Sequence, residues 1–107
     1  LVDCLTLWVS NLMMAHADSD APEDLLTAQT RRLIESLRDA ACPVILVTNE
    51  VGAGIVPENP LARRFRDDVG HVNQRIAACV DQVVWMVAMI DITHSLSGRT
   101  EGGLALC

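Results

Sequence analysis

Residues 43–88 read PVILVTNEVGAGIVPENPLARRFRDDVGHVNQRIAACVDQVVWMVA. Two apolar runs, one long loop and one periodic stretch in this segment decide the fold class. Val44-Ile45-Leu46-Val47-Thr48 is a short, continuous, largely β-branched run, the pattern of a strand covered on both faces in a parallel sheet. Asn59-Pro60 then joins a helix-capping residue to a first-turn proline. From 60 to about 79, Leu61, Phe65, Val69, Val72, Ile76 and, just beyond, Val80 recur every three or four residues along one helical face. After Asp81-Gln82, the run Val83-Val84-Trp85-Met86-Val87-Ala88 reads as a second buried strand. Strand, helix and strand at this spacing form a βαβ unit, whose crossover is right-handed in nearly all proteins.

Upstream, Leu1-Val2-Asp3 looks like the last residues of a further buried strand. Residues 5–15 (LTLWVSNLMMA) are apolar nearly all round, with Leu5, Trp8, Leu12 and Met13 on one face, which predicts a buried helix. HADSDA (16–21) breaks it, and Pro22-Glu23-Asp24 opens a second helix to about residue 40, with acids at its positive end. Leu26, Leu33, Ile34, Leu37 and Ala41 make its apolar stripe, and Cys42-Pro43 ends it. The expectation is an α/β fold, a mostly parallel three-stranded sheet with flanking helices, forming one domain over residues 1–90. From 91 the pattern decays, and 91–107 is expected to be a divergent, loose tail.

Composition excludes several classes. Half of the 107 residues are hydrophobic and the net charge is -6, so the chain is globular and lacks a nucleic-acid footprint. There is no lysine; every basic side chain is arginine, and Arg63, Arg64 and Arg66 cluster. A guanidinium fork suits phosphate or carboxylate, although solvated helix-surface arginines are the commoner case. Cys4, Cys42, Cys79 and Cys107 are too widely separated for a zinc or redox motif, which points to a reducing cytoplasm. No apolar stretch reaches the length of a membrane span, and the first residues lack the basic start of a signal peptide.

Ligands of open α/β sheets bind outside the carboxyl ends of the strands. That rule selects Asp3, as either a Mg²⁺-holding carboxylate or a helix cap. It also selects the loop after Thr48 (NEVGAGIVPE, 49–58), longer than the usual connection of about four to six residues. Asn49, Glu50, Gly52 and Gly54 there offer polar groups and close backbone approach, with positive φ the alternative reason for either glycine. On the following helix Arg66 and Asn73 lie seven apart, on one face. Asn73 could meet a substrate or satisfy neighbouring backbone. His71 has no partner spaced to orient it, so no nucleophile–base pair is assigned.

These residues carry a resemblance. VDCLTLWVSNL (2–12), VTNEVGAGIVPENPLARRFRDDVG (47–70) and Asn73-Gln74-Arg75 are similar to the bifunctional adenosylcobinamide kinase/adenosylcobinamide-phosphate guanylyltransferase family over about residues 1–88. The resemblance implies a phosphate-loop NTPase-like α/β fold, of which this chain carries the carboxy-terminal portion. It implies cytoplasmic enzymes of cobalamin biosynthesis that use ATP or GTP to phosphorylate adenosylcobinamide. They then transfer GMP from GTP to adenosylcobinamide phosphate through a covalent histidine, giving adenosylcobinamide-GDP, and they form homotrimers. It implies Mg²⁺, with Asp3 at the metal or phosphate position. Asn49, Glu50, Gly52, Pro57, Asn59, Arg63, Arg64 and Asn73 are implied to lie near nucleotide or substrate.

The GxxxxGK[ST] phosphate loop and the family's histidine are expected before residue 1, so His16, His71 and His94 do not inherit that role. The fragment alone is therefore expected to be inactive. The alternative reading is a non-catalytic remnant, or a nucleotide-binding or oligomerisation module.

Overall fold

Val2–Asp3 (β1) and Leu46–Val47 (β2) lie side by side in parallel, Val2 opposite Leu46 and Asp3 opposite Val47. The Val2 amide donates to the Ile45 carbonyl at 2.8 Å. The computed structural model describes residues 1–15, 22–87 and 90–94. Between the two strands run α1 (Leu5–Ala15) and α2 (Pro22–Arg38), followed later by α3 (Pro60–Ala77), β3 (Val83–Val87) and β4 (Ile90–His94). The helices fall where the apolar spacing puts them, within about two residues.

The sheet differs from the expectation. β3 does not extend the parallel pair; it forms an antiparallel pair with β4, from Val83 opposite His94 to Val87 opposite Ile90. An apolar run encodes burial, not a neighbour, and a strand close by in sequence pairs at low loop-closure cost. Residues 91–94 are consequently strand rather than loose tail, while 95–107 lie outside the described residues. The small parallel pair among helices is compatible with a phosphate-loop-like α/β fold.

The core sits between α1 and α3. Leu5 and Val9 from α1 meet Val69, Val72 and Ile76 from α3, all buried. Trp8, Met13, Leu26, Leu33, Ile34, Leu46, Val51, Phe65 and Val80 pack around them, so α2, β2 and the long loop each contribute a side. Thr30 is buried on α2 because its Oγ1 donates to the Leu26 carbonyl at 2.7 Å, one turn back.

Strands expected to be covered on both faces are not: Val44, Ile45 and Val47 are exposed, and Trp85 of β3 is 57% exposed. Two-strand pairs have too few neighbours to bury both faces. On α1, Leu7 and Met14 likewise face outward, and on α3 the buried stripe begins only at Phe65, Leu61 being exposed.

Asn59 caps α3 from an extended conformation, its Oδ1 accepting from the Leu61 and Ala62 amides at 2.8 and 3.2 Å, with Pro60 in the first turn. Asn59→Ala leaves those amides to water and should lower stability by about 1 kcal/mol, read as a shift in the urea midpoint at unchanged slope. Asn59→Asp keeps the acceptor and should be nearly neutral. Cys4, Cys42 and Cys79 are free thiols, and Cys107 lies outside the described residues. Among the described residues no helix is long and apolar enough to cross a membrane.

Candidate functional site

Because Asp3 is in register with Val47, β1 and β2 end at one edge, and loop 49–58 leaves from that edge. The two places selected separately from the sequence are therefore one place. Asp3 is exposed, and its carboxylate has no hydrogen bond or ion pair among the described residues. Among the described residues it caps no helix, so the helix-cap alternative for this residue is not realised. The peptide bond from Asp3 to Cys4 is cis.

The loop begins in a ring of hydrogen bonds. Thr6, in the first turn of α1, accepts from the Asn49 amide at 3.0 Å and from Asn49 Nδ2 at 3.2 Å. Thr48 donates its hydroxyl to Asn73 Oδ1 at 2.8 Å, and Asn73 Nδ2 donates to the Asn49 carbonyl at 3.2 Å. Thr6 and Thr48 approach to 3.4 Å; with the Thr48 proton on Asn73, Thr6 is the donor. The ring ties α1, the end of β2 and α3 together, and its members polarise one another.

Thr6 and Thr48 were not singled out from the sequence. The only signal for Thr6 was its place one turn beyond Asp3. Asn73 follows the alternative reading, its amide taken up by neighbouring backbone and side chain. Asn49 leaves its Oδ1 without a partner among the described residues.

Further along, Glu50 accepts the Gly52 amide on its own carboxylate, folding the loop back on itself. A Cβ on Gly52 would lie 2.6 Å from that carboxylate oxygen, whereas one on Gly54 would meet nothing. Neither glycine has a φ in the left-handed region; at Gly52 a Cβ would displace only the end of the flexible Glu50 side chain, and no local contact requires glycine at 54. The Gly52 carbonyl accepts from Arg66 of α3. Arg63 Nη1 donates to the Pro57 carbonyl at 3.0 Å and to that of Glu58, after which Asn59 begins the helix. Arg64 departs from this arrangement: its Nε lies 3.5 Å from Asp68 Oδ2, one turn on along the helix. It does not reach the loop.

Between the loop and α3 lies an open cleft of about 570 Å³, lined by Gly52, Val56, Arg63, Arg66, Asp67, Gly70, His71 and Gln74. Asp3 is not among its walls. The loop thus has the carboxyl edge at its start and this cleft along its middle. His71 is an exposed member of the cleft without a hydrogen-bond partner among the described residues; His16 lies outside them, and His94 is placed only as part of β4.

For a divalent cation the donor set is sparse. Among the described residues no three His, Cys, Asp or Glu side chains converge. That excludes an all-protein cage but fits Mg²⁺, which usually takes one or two carboxylates and completes its shell with phosphate oxygens and water. Asp3 is the unengaged carboxylate at the strand edge.

Residues 1–93 match the family model described as cobinamide kinase/cobinamide phosphate guanyltransferase. The chain is 48% identical over 95 residues to the bifunctional adenosylcobalamin biosynthesis protein CobU of Salmonella typhimurium, covering 81% of this chain and 52% of that protein. It is 42% identical over 95 residues to the protein of the same name in Escherichia coli, with the same coverage. Against the bifunctional adenosylcobalamin biosynthesis protein CobP of Pseudomonas aeruginosa it is 41% identical over 88 residues, covering 82% and 48%. The chain spans about half the length of the curated relatives it matches.

Proposed function

We propose, for a chain that belongs to the cobinamide kinase/cobinamide phosphate guanyltransferase family, that the β1–β2 edge and loop 49–58 form one wall of that family's active site. The observation that supports this most directly is the shared edge, where the unengaged Asp3 carboxylate stands beside a loop held by three elements.

Two displacements define the reaction. In the first, a hydroxyl oxygen of adenosylcobinamide bonds to the γ-phosphorus of ATP or GTP, its proton is lost, and the nucleoside diphosphate leaves. In the second, GMP from GTP is joined to the new phosphate and pyrophosphate leaves, giving adenosylcobinamide-GDP. A covalent histidine splits that transfer into two steps. Neither displacement asks the wall for a nucleophile. It asks for charge and position, which dominate phosphoryl transfer.

Asp3 would hold Mg²⁺ together with phosphate oxygens, and the bound ion would offset the charge gathering on them. Asn49 Oδ1 and the second oxygen of Glu50 are the polar atoms of the loop's first turn left for a ligand. Asn73 holds the Asn49 carbonyl beside them, while Pro57, through Arg63, and Asn59, as the cap of α3, fix the far end of the loop. The 107 residues contain neither lysine nor a GxxxxGK[ST] sequence, so phosphate cradling is not assigned to them. By themselves they are not expected to turn over. A trimeric assembly and a reducing cytoplasm complete the reading, the latter in keeping with three free thiols.

The test replaces the matching stretch of the Salmonella relative with this chain. The chimera should make adenosylcobinamide-GDP from adenosylcobinamide and GTP, and the isolated chain should not. A folded chimera without either activity would overturn the proposal.

A further inference from the structure

Loop 49–58 is fastened at both ends. The Thr6–Thr48–Asn73 ring holds Asn49, and Arg63 holds the Pro57 and Glu58 carbonyls. Between these points the chain is tied to the rest of the molecule by Val51, packed against the core, and by the bond from Arg66 to the Gly52 carbonyl. The Glu50 bond to the Gly52 amide is internal to the loop; it shapes the turn without anchoring it. Both sides of Gly52 are therefore hydrogen-bonded, one to the loop's own carboxylate and one to α3.

We infer that Arg66 is a positioning residue: through the Gly52 carbonyl it sets where the Glu50–Gly52 turn stands against α3. The inference rests on the proposed function in treating that turn as part of a substrate wall; the clamp itself does not depend on it. Arginine suits the role because its charge strengthens a bond to a neutral carbonyl, and its fork leaves further N–H groups on the cleft. Asp67, the acid beside it in the cleft, is too few charges to neutralise both Arg63 and Arg66. Arg64, two residues before Arg66 on the same helix but paired with Asp68, is the natural control.

Hydrogen exchange of the 107-residue chain tests this without any assay of turnover. Arg66→Ala releases the Gly52 carbonyl and lets the Glu50–Gly52 turn open as a unit, so exchange of the Gly52 amide should speed about tenfold, with the Asn49 amide and the α3 amides unchanged. Arg66→Lys, which can still donate to the same carbonyl, should recover most of the protection, and Arg64→Ala should have no effect. Should Arg66→Ala fail to fold, Arg66→Gln keeps more of the stem but not the reach, and should show the same local acceleration. Exchange at Gly52 within twofold of the unaltered chain would overturn the inference, as would equal acceleration throughout α3.

Adding Mg²⁺ and GTP to the Salmonella chimera separates the two ideas. Protection of the loop that weakens in Arg66→Ala supports both. A clamp effect with no nucleotide response, in a chimera that also lacks activity, supports the clamp and counts against the proposed function.

Discussion

Leu5→Ala should destabilise the chain by about 2–5 kcal/mol, the range for emptying a buried leucine site. Leu5 is 2% exposed and is one of five buried apolar side chains described in the core. It comes from the first turn of α1, where it anchors that end of the helix to α3. A small domain has about 5–15 kcal/mol of net stability, and the exposed strands here argue for the lower part of that range. The substitution is thus expected to remove a large fraction of it.

Urea denaturation followed by circular dichroism reads the effect; Leu5→Met, which keeps the volume, should lose under about 1.5 kcal/mol. A loss below 1 kcal/mol for the alanine variant would mean that the site collapses or was never tightly filled. The adjacent residue supplies a second readout. Thr6 holds Asn49, so loosening the first turn of α1 should also raise exchange at the Asn49 amide.

Asp3→Asn should lower formation of adenosylcobinamide-GDP by the Salmonella chimera by about 10²-fold or more, the scale of losing one electrostatic stabiliser of a developing phosphate charge. Thermal stability should stay within a degree or two, because the carboxylate is exposed and engaged with nothing among the described residues. That split separates a functional carboxylate from a structural one. Asp39→Asn, an exposed carboxylate beyond α2, controls for net charge. Activity within twofold of the unaltered chimera would remove Asp3 from the metal position.

What could be read in the sequence is what depends on local pattern. The stripe from Phe65 to Ile76 marks α3 because burial on one helical face has its own period, and Asn59-Pro60 marks its start because a cap is a local contact. The rule that ligands gather at carboxyl ends selected Asp3 and the loop after Thr48 as two places; that they share one edge is shown by the strand register.

Strand partners were not legible. Val83–Val87 is as apolar as a central parallel strand, yet it pairs with Ile90–His94, and the intervening Ala88-Met89 has none of the Gly, Asn or Asp residues that advertise a tight hairpin. The exposure of Ile45 and Trp85 was hidden for the same reason, since hydrophobicity records a preference and not its fulfilment. Within the site, three arginines in four residues look alike as a string. One holds Pro57 and Glu58, one pairs along its own helix and one reaches Gly52, a division set by the roughly 100° between successive helix positions.

That division makes α3 a ruler for the loop. Asn73, Arg66, Arg63 and the cap at Asn59 are graduations along roughly 21 Å of helix, at about 1.5 Å per residue. The loop passes them in reverse order, Asn49 at one end and Glu58 at the other. Fully extended, ten residues could reach about 33 Å, so length alone would forgive a deletion. The graduations would not, because Asn73 and Arg66 each meet one particular carbonyl of the loop, Arg63 meets the last two, and the Asn59 cap fixes where the helix begins. Change over time in this segment should therefore run to substitution at unmarked positions such as Gly54 and Ile55, and rarely to insertion or loss of residues.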